Sequence, residues 1–330
     1  MEFSLPTTFG IRSPTLQPLF IRFSPCLCGL AAYPVRREAN AIMSKRADPF
    51  PLLENMTVKL VREYLKRSRS IILPLGVIEQ HGYHLPLCTD ALIAGSIARL
   101  IGLKTGIIVA PTMYESFSGG GLPGTINISP ATMAQVVSDR LLSLAAQGFR
   151  QFHLFLGHGG SENTRALKDA IGISLRLNPV FEKVLITLFG IWDCDPNKTG
   201  WRKAIGEGDW HAGWLETSLV MALRPDLVRM QDLELDKEPW LRRQIEHPDN
   251  YQHAQKIVDD QFVVPRMKQR PEIRVGVMGH PERANAALGR KLIADIVQFA
   301  SKHIAAIEAK ADGVYKEVAF TPAPLIFDDL

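Results

Sequence analysis

Cysteine is scarce: Cys26, Cys28, Cys88 and Cys194 are the four in 330 residues. So few, so unevenly placed, exclude a disulfide framework in a chain of this length and make a reducing compartment, the cytoplasm, the expected location. Cys26 and Cys28 form a lone C-x-C without the second pair that a structural zinc site needs. No apolar run reaches the roughly eighteen residues of a membrane span, and the best early stretch, Pro25 to Val35, is short and follows Arg22. Charge of one sign is also lacking: 38 Lys and Arg stand dispersed among 34 acids, for a net +4, without the basic stripe that phosphate backbones require. Neither a membrane nor a nucleic acid is therefore an expected partner. A P-loop lysine motif, a dinucleotide fingerprint and any internal repeat are missing too, which argues against a nucleotide-dependent enzyme.

What is present is the material for a large core. Hydrophobic residues make up 46% and charged ones 22%, so the chain packs as one large α/β domain or two smaller ones. Residues 1–42 stand apart: they hold only Glu2 and Glu38 as acids, carry Arg12, Arg22, Arg36 and Arg37, and show no sustained period. Met43 followed by Ser-Lys-Arg-Ala-Asp resembles an ordinary start. The expected division is a poorly ordered N-terminal extension over 1–43 and a single domain over 44–330.

From Met56 the chain alternates. Met56 to Arg67 reads as a helix, Ser70 to Gly76 as a buried strand, Ala91 to Leu103 as a helix and Ile107 to Pro111 as a second strand. Ala131 to Gln147 is an amphipathic helix ended by Gly148, followed by a strand at Gln151 to Leu156, a helix at Glu162 to Leu177 and a strand at Lys183 to Phe189. His211 to Leu223 reads as a helix stopped before Pro225, and Pro281 to Glu308 contains the last long one. Strands separated by such helices predict a mainly parallel sheet covered on both faces. Between Met230 and Val275 the pattern lapses into a polar segment, an insertion over 230–275 that is either a lid or a solvated excursion.

Chemistry concentrates in four places. Glu79-Gln-His81-Gly-Tyr-His84-Leu-Pro-Leu-Cys-Thr-Asp90 sets carboxylates and imidazoles just after a strand. In an extended segment Glu79 and His81 point the same way, and oxygen with imidazole donors suits a divalent cation. Asp90 can return across the Gly82 to Pro86 turn, where its two oxygens could bridge two metals. Gly157-His158-Gly-Gly-Ser-Glu162 follows another strand and opens a helix, so His158 projects beyond the carboxyl edge of the sheet, where open parallel sheets bind ligands. Asp209-Trp210-His211-Ala-Gly-Trp214-Leu-Glu216 places acid and base near a helix start. His211 and Glu216, five apart, share a helical face only if His211 lies in the cap; alternatively Asp209 or His211 caps the helix while Trp210 and Trp214 fill core. Ser116 to Ser129, rich in glycine, reads as a substrate-facing loop containing Ser118.

The segments Glu79-Gln-His81-Gly-x-His84-Leu-Pro-Leu-x-Thr-Asp90, Leu122-Pro-Gly-Thr125, Gly157-His158-Gly-Gly and His211-Ala-Gly-x-x-Glu216-Thr-Ser, in this order, resemble the creatininase (creatinine amidohydrolase) family over about residues 54 to 308. Gly276-Val-Met-Gly-His-Pro281 resembles its closing motif, although the family more often has Asp where His280 stands. The resemblance implies a three-layer α/β/α sandwich, usually a homohexamer, with one or two divalent metals such as zinc, manganese or iron. It carries the metal residues over as Glu79, His81, Asp90 and His158, with Asp90 as the bridge. Creatininase has a Glu where this chain has Gly160, so Glu216, or alternatively Glu162, completes the set. It also has Glu where Trp210 precedes His211, a departure that points away from creatinine itself.

The implied activity is a metal-dependent hydrolase. A cation lowers the pKa of bound water from ~15.7 toward ~7. The hydroxide so formed attacks a small cyclic amide or related cyclic carbonyl compound. His211 shuttles the proton, Glu162 is a second candidate for catalysis, and Ser118, Trp210 and Trp214 face the substrate. Relatives acting on formamides, peptide-like cofactor precursors and inositol-derived cyclic diketones share this chemistry and leave the substrate open. The reading from a different class is a metal-binding assembly subunit that turns nothing over.

Overall fold

The computed structural model describes residues 52–195 and 200–319. The expected extension over 1–43, with Cys26 and Cys28, lies outside the described residues. Four parallel strands, β1 (Ser70–Leu75), β2 (Ile108–Val109), β3 (Gln151–Leu156) and β4 (Leu185–Gly190), form a sheet in the order β2-β1-β3-β4. The strand at 107–111 is thus shorter than its apolar run suggested.

Buried strands need apolar side chains on both faces, and β1, Ser-Ile-Ile-Leu-Pro-Leu, is buried throughout. Ile71, Leu73 and Leu75 join Phe152, Leu154 and Leu156 of β3 in one core, while Ile72 and Phe155 point into the other. The first core is closed by α1 (Val58–Leu65), α3 (Pro130–Ala146) and α4 (Ser161–Leu177). The second is closed by α2 (Thr89–Thr105), α6 (Trp214–Leu223) and α8 (Ala286–Glu308). The result is the three-layer α/β/α sandwich.

The chain leaves β1 toward β2 through α2 on one face and leaves β3 toward β4 through α4 on the other. The carboxyl ends of β1 and β3 therefore flank the point where the winding reverses, the crevice at which doubly wound sheets bind ligands. Leu75 and Leu156 are register partners, so Gly76 and Gly157 follow side by side. A Cβ on Gly157 would overlap the carbonyl oxygen of Asp90, and one on Gly76 would overlap the backbone of Ala91. The two glycines let the first turn of α2, which carries Asp90, seat directly on the sheet edge. Gly157→Ala is accordingly expected to cost about 1–3 kcal/mol of stability through overpacking and to lower metal content by displacing Asp90. Gly172→Ala, in α4 with open space around it, serves as the control. Thermal melts and metal per chain check this, and a wild-type result for Gly157→Ala would refute the close packing.

The 230–275 segment has its own structure: helix α7 (Trp240–Glu246), a 3-10 turn at Pro248–Tyr251, and an antiparallel hairpin of β5 (Gln252–Gln255) and β6 (Arg266–Gln269). The base of the hairpin grips the glycine-rich loop, since Gln252 Nε2 donates to Gly119 O at 2.7 Å and Gly121 N donates to Gln269 Oε1 at 3.1 Å. Its far end leaves Ile257 and Val264 in solvent. One end of the segment thus borders a cleft and the other is exposed to solvent.

Candidate metal centre

Glu79 and His81 lie on the loop after β1, closed by Glu79 N donating to Leu87 O at 2.9 Å. That loop is braced from the side by the Leu122-Pro-Gly-Thr125 turn, whose Thr125 Oγ1 accepts from Gln80 N at 3.1 Å. Asp90 comes from α2, His158 from the turn after β3 and Glu216 from the first turn of α6. All five are buried.

Asp90 stands at the middle. Its Oδ1 is 3.1 Å from His81 Nε2 and its Oδ2 is 3.0 Å from His158 Nδ1. Glu79 Oε2 approaches the same nitrogen of His158 at 3.2 Å, and Glu216 Oε2 lies 3.7 Å from His81 Nε2. Three donor groups follow among the described residues, Glu79 with Asp90 and His158, His81 with Asp90 and Glu216, and Glu79 with His81 and His211, each with its ligand atoms within 4.8 Å of one another. His81 Nδ1 donates to its neighbour Glu79 O at 3.1 Å, an arrangement that leaves Nε2 free to bind a cation. Glu79 Oε2 is buried with no partner beyond its 3.2 Å approach to His158 Nδ1, a nitrogen it shares with Asp90, and so keeps acceptor capacity of the kind a metal satisfies. Three carboxylates and two imidazoles, packed out of water with a donor left over, fit a pair of divalent cations.

The electrostatics agree. Burial alone would depress His81, yet the carboxylates of Asp90, Glu216 and Glu79 carry it up to about 10. Burial likewise opposes the charge on His158, and Glu79 and Asp90 still hold its pKa well above the usual value. Burial pushes Glu216 up to about 8. For Asp90, burial is outweighed by His81 and His158, which hold its carboxyl below the usual range. Glu79 is lowered in the same way, chiefly by His158 and His211 against its burial.

His211 lies outside the helix that the sequence suggested would begin with it. α6 starts at Trp214 because Ala212 turns through positive φ (53°), and Asp209 caps the helix by accepting from Trp214 N at 3.0 Å and Leu215 N at 3.3 Å. Glu216 bends back to accept from Ala212 N at 2.6 Å. The five-residue spacing is thereby bridged by a turn, and His211 and Glu216 reach one centre. His211 Nε2 donates to Gln80 O at 2.7 Å, leaving Nδ1 as the acceptor. Burial and His81 lower its pKa, keeping the imidazole neutral at pH 7.

These groups open on a cleft of about 630 Å³. Ser118 lines it, and its Oγ donates to Glu79 Oε1 at 2.6 Å, orienting a carboxylate of the centre. Trp210 lines it with its ring N–H on Ile245 O at 2.9 Å. Trp214 does not: it is buried in the helical layer, its ring 6.2 Å from that of His280 and under the Arg283 guanidinium at 5.0 Å, so large apolar area decides its place. Glu162 is exposed on the rim, outside every donor group. Gln80, Tyr251 and Trp192 also border the cleft. Gln80 sits inside the first motif and was legible by position, whereas nothing in the polar 230–275 stretch marks Tyr251.

A protein-family model for Creatininase: Creatinine amidohydrolase matches residues 54–304. The creatinine amidohydrolase of Pseudomonas putida is 31% identical over 183 residues, covering 51% of this chain and 69% of that protein. The mycofactocin precursor peptide peptidase of Mycobacterium tuberculosis is 29% identical over 263 residues, 75% of this chain and 89% of its own. The 3-dehydro-scyllo-inosose hydrolase of Thermotoga maritima is 29% identical over 194 residues, 56% and 60% respectively. Among solved structures, creatinine amidohydrolase superposes with a TM-score of 0.62 at 23% identity, over 80% of this chain and 99% of that one. Similar structures include a manganese creatininase and a Zn-Zn form of a creatininase variant.

Proposed function

The chain belongs to the creatininase family and is a metal-dependent hydrolase, and from that premise we propose that it opens a cyclic amide or a related small carbonyl compound at the centre formed by Glu79, His81, Asp90, His158 and Glu216. The observation that carries this reading is Asp90, whose two oxygens face two different imidazoles while Glu79 and Glu216 complete the groups on either side. Zinc, manganese or iron, one or two ions per chain, suits such donors. When bound, the ions would supply Lewis acidity and activate water at neutral pH.

The chain's own residues do the rest. Glu216 rather than Glu162 completes the ligand set, because only Glu216 shares a donor group with His81 and Asp90. Ser118 holds the Glu79 carboxylate in register. His211, its Nε2 proton committed to Gln80 O, takes up a proton at Nδ1 and passes it to the leaving nitrogen. Trp210 contributes a cleft wall for the substrate, and Glu162 stands on the rim as a contact for its outer end. The same reading takes 44–330 as one hydrolase domain with 230–275 as an insertion, assembled as a homohexamer in the cytoplasm. No helix among the described residues is long and apolar enough to cross a membrane.

The test is a panel. Protein purified without chelator is assayed for metal and for hydrolysis of lactams, formamides, short peptides and cyclic diketones, beside Glu79→Ala. One to two ions per wild-type chain, with an activity that disappears together with metal in the variant, is the expected result. Turnover of a cyclic diketone alone would move the reading to carbon–carbon cleavage, the alternative that the inosose hydrolase relative favours. A protein that binds metal but turns over nothing on the panel would support the assembly-subunit reading.

A further inference from the structure

Cationic side chains that stand far apart in the sequence are gathered in one place by the fold. At the amino ends of the strands, the edge opposite the metal centre, lies a second cavity of about 1040 Å³, lined among others by Ser70, Gln151 and Leu185, the first residues of β1, β3 and β4. Its charged lining is seven Lys and Arg side chains against Glu308 and Asp312. Both acids are already engaged, Glu308 with His153 Nε2 at 2.9 Å and Asp312 with Lys316 Nζ at 2.9 Å. Lys66 is taken by Glu63 at 2.8 Å. Five cations are left without a carboxylate partner among the described residues: Arg67, Arg69, Arg150, Lys183 and Lys310.

Backbone pairing sets these groups close together. Arg150 N and Gln151 N both donate to Arg69 O, at 2.9 and 3.1 Å, and Leu185 N donates to Arg150 O at 2.8 Å, so the chain at Arg69, Arg150 and Val184 enters three neighbouring strands side by side. At about 4.8 Å per strand the three positions span about 10 Å. Lys183 precedes Val184 at φ 63°, in the left-handed region that few non-glycine residues occupy. Lys310 follows the end of α8, and Tyr315 pins that stretch beside β4 by donating to Val184 O at 3.0 Å. Helix ends explain part of the set: Arg67 lies beyond α1, Lys310 beyond α8, and Arg150 Nη1 answers Ala145 O at the end of α3 at 2.6 Å. Arg69 and Lys183 lead into strands, where no helix dipole calls for a cation.

Like charges held in one concavity repel, and an anion relieves them. We propose that this cavity binds a small polyanion, an oligophosphate or a molecule that carries one, seated between Arg69, Arg150 and Lys183 with Arg67 and Lys310 alongside. A guanidinium fork matches the edge of a phosphate, and lysine answers it as a point charge. A row of phosphates, rather than one carboxylate, has the charge to meet five cations over about 10 Å. Nucleic acid is the poorer fit, since its backbone calls for cations set out along a line, whereas these converge on one cavity. The strands β1 and β3 are six residues long, about 20 Å, so the cavity lies a strand's length from the metal centre and its ligand is separate from the hydrolase substrate.

Pyrene tetrasulfonate is the probe, a fluorescent tetra-anion whose sulfonates are poor metal ligands. Its anisotropy is followed as full-length, metal-loaded protein is added at about 0.15 M salt, which screens diffuse surface attraction. The probe is expected to bind, and inorganic tripolyphosphate to displace it at least about tenfold more effectively than orthophosphate. Arg69→Gln and Lys183→Gln should each weaken probe binding about tenfold, the scale of a lost charge-assisted contact, with melting temperature and metal content at wild-type values. Lys203→Gln is the control: Lys203 is an exposed cation on α5 (Trp201–Gly206), a helix that borders the metal cleft instead, and its loss should leave the affinity unchanged. Absence of binding at that salt, wild-type affinity in both cavity variants, or an equal loss in Lys203→Gln would overturn the proposal. Displacement by a DNA duplex at lower phosphate concentration than by tripolyphosphate would overturn it too, in favour of nucleic acid.

Discussion

Asp90→Asn is expected to leave well under one metal per chain and to lower hydrolysis by more than the roughly 10–100-fold typical of losing an outer-shell partner. Asp90 is the member common to the Glu79–His158 and His81–Glu216 groups, and an amide in its place offers one neutral oxygen where two charged ones stood. Glu216→Gln is the informative companion, because Glu216 belongs to one group only; it should reduce metal by about half. Acidification should reproduce the loss in wild type. Without metal, His81 holds its proton up to about 10 and Glu216 up to about 8, so at neutral pH a cation must displace both. Affinity then rises with pH and falls toward acid, by up to about tenfold per unit for each proton displaced. Metal analysis after dialysis from pH 8 to pH 5.5 checks the sign. Retention that is flat across that range, or an Asp90→Asn protein with a full complement, would remove the shared-carboxylate description.

His211→Gln is expected to do the opposite: metal content unchanged, turnover down by about 10²–10⁴. The imidazole is near enough to group with Glu79 and His81, its ring 4.2 Å from that of His81, so a ligand role is the competing description. The bond from Nε2 to Gln80 O leaves Nδ1 as the open nitrogen in either role, so the metal content of the variant decides between them. That bond fixes the tautomer and leaves one acceptor nitrogen on a residue only partly buried, a proton carrier's position. Gln80 closes the same device by donating to Gly276 O at 3.3 Å while its Oε1 accepts from Gly82 N at 3.2 Å. A fall in metal content that parallels the fall in rate would make His211 a ligand.

The strands and the two-faced sheet were legible in the sequence because continuous apolar runs such as Ile71 to Leu75 and Phe152 to Leu156 admit few other fates. Glu79, His81 and His158 stood out for a related reason, since they follow strand ends whose positions those runs fix, whereas Asp90 stood out as the acid at the start of the next helix. What could not be read were contacts made across long separations. Gln252 reaching Gly119, and Asp236 collecting the backbone of Arg274 to Gly276, have no local signature. The start of α6 was misplaced because positive φ at a non-glycine residue, Ala212, is invisible to propensity. Ser118 and Trp214 show the limit from the other side. Residue type was informative, but a hydroxyl can serve a carboxylate as readily as a substrate, and an indole fills a helical layer as readily as a cleft wall.

The five donors of the centre come from four stretches of chain, the loop after β1, the first turn of α2, the turn after β3 and the first turn of α6. A cation seated among them ties these stretches together in the manner of a crosslink, closing loops in the native state that the unfolded chain leaves open. Ligand binding to the folded form alone raises stability by mass action, so free metal concentration sets the melting temperature as well as the rate. A chelator is therefore expected to act on this molecule as a mild denaturant, so that losses of activity on metal depletion would report unfolding and chemistry together unless the two are measured side by side.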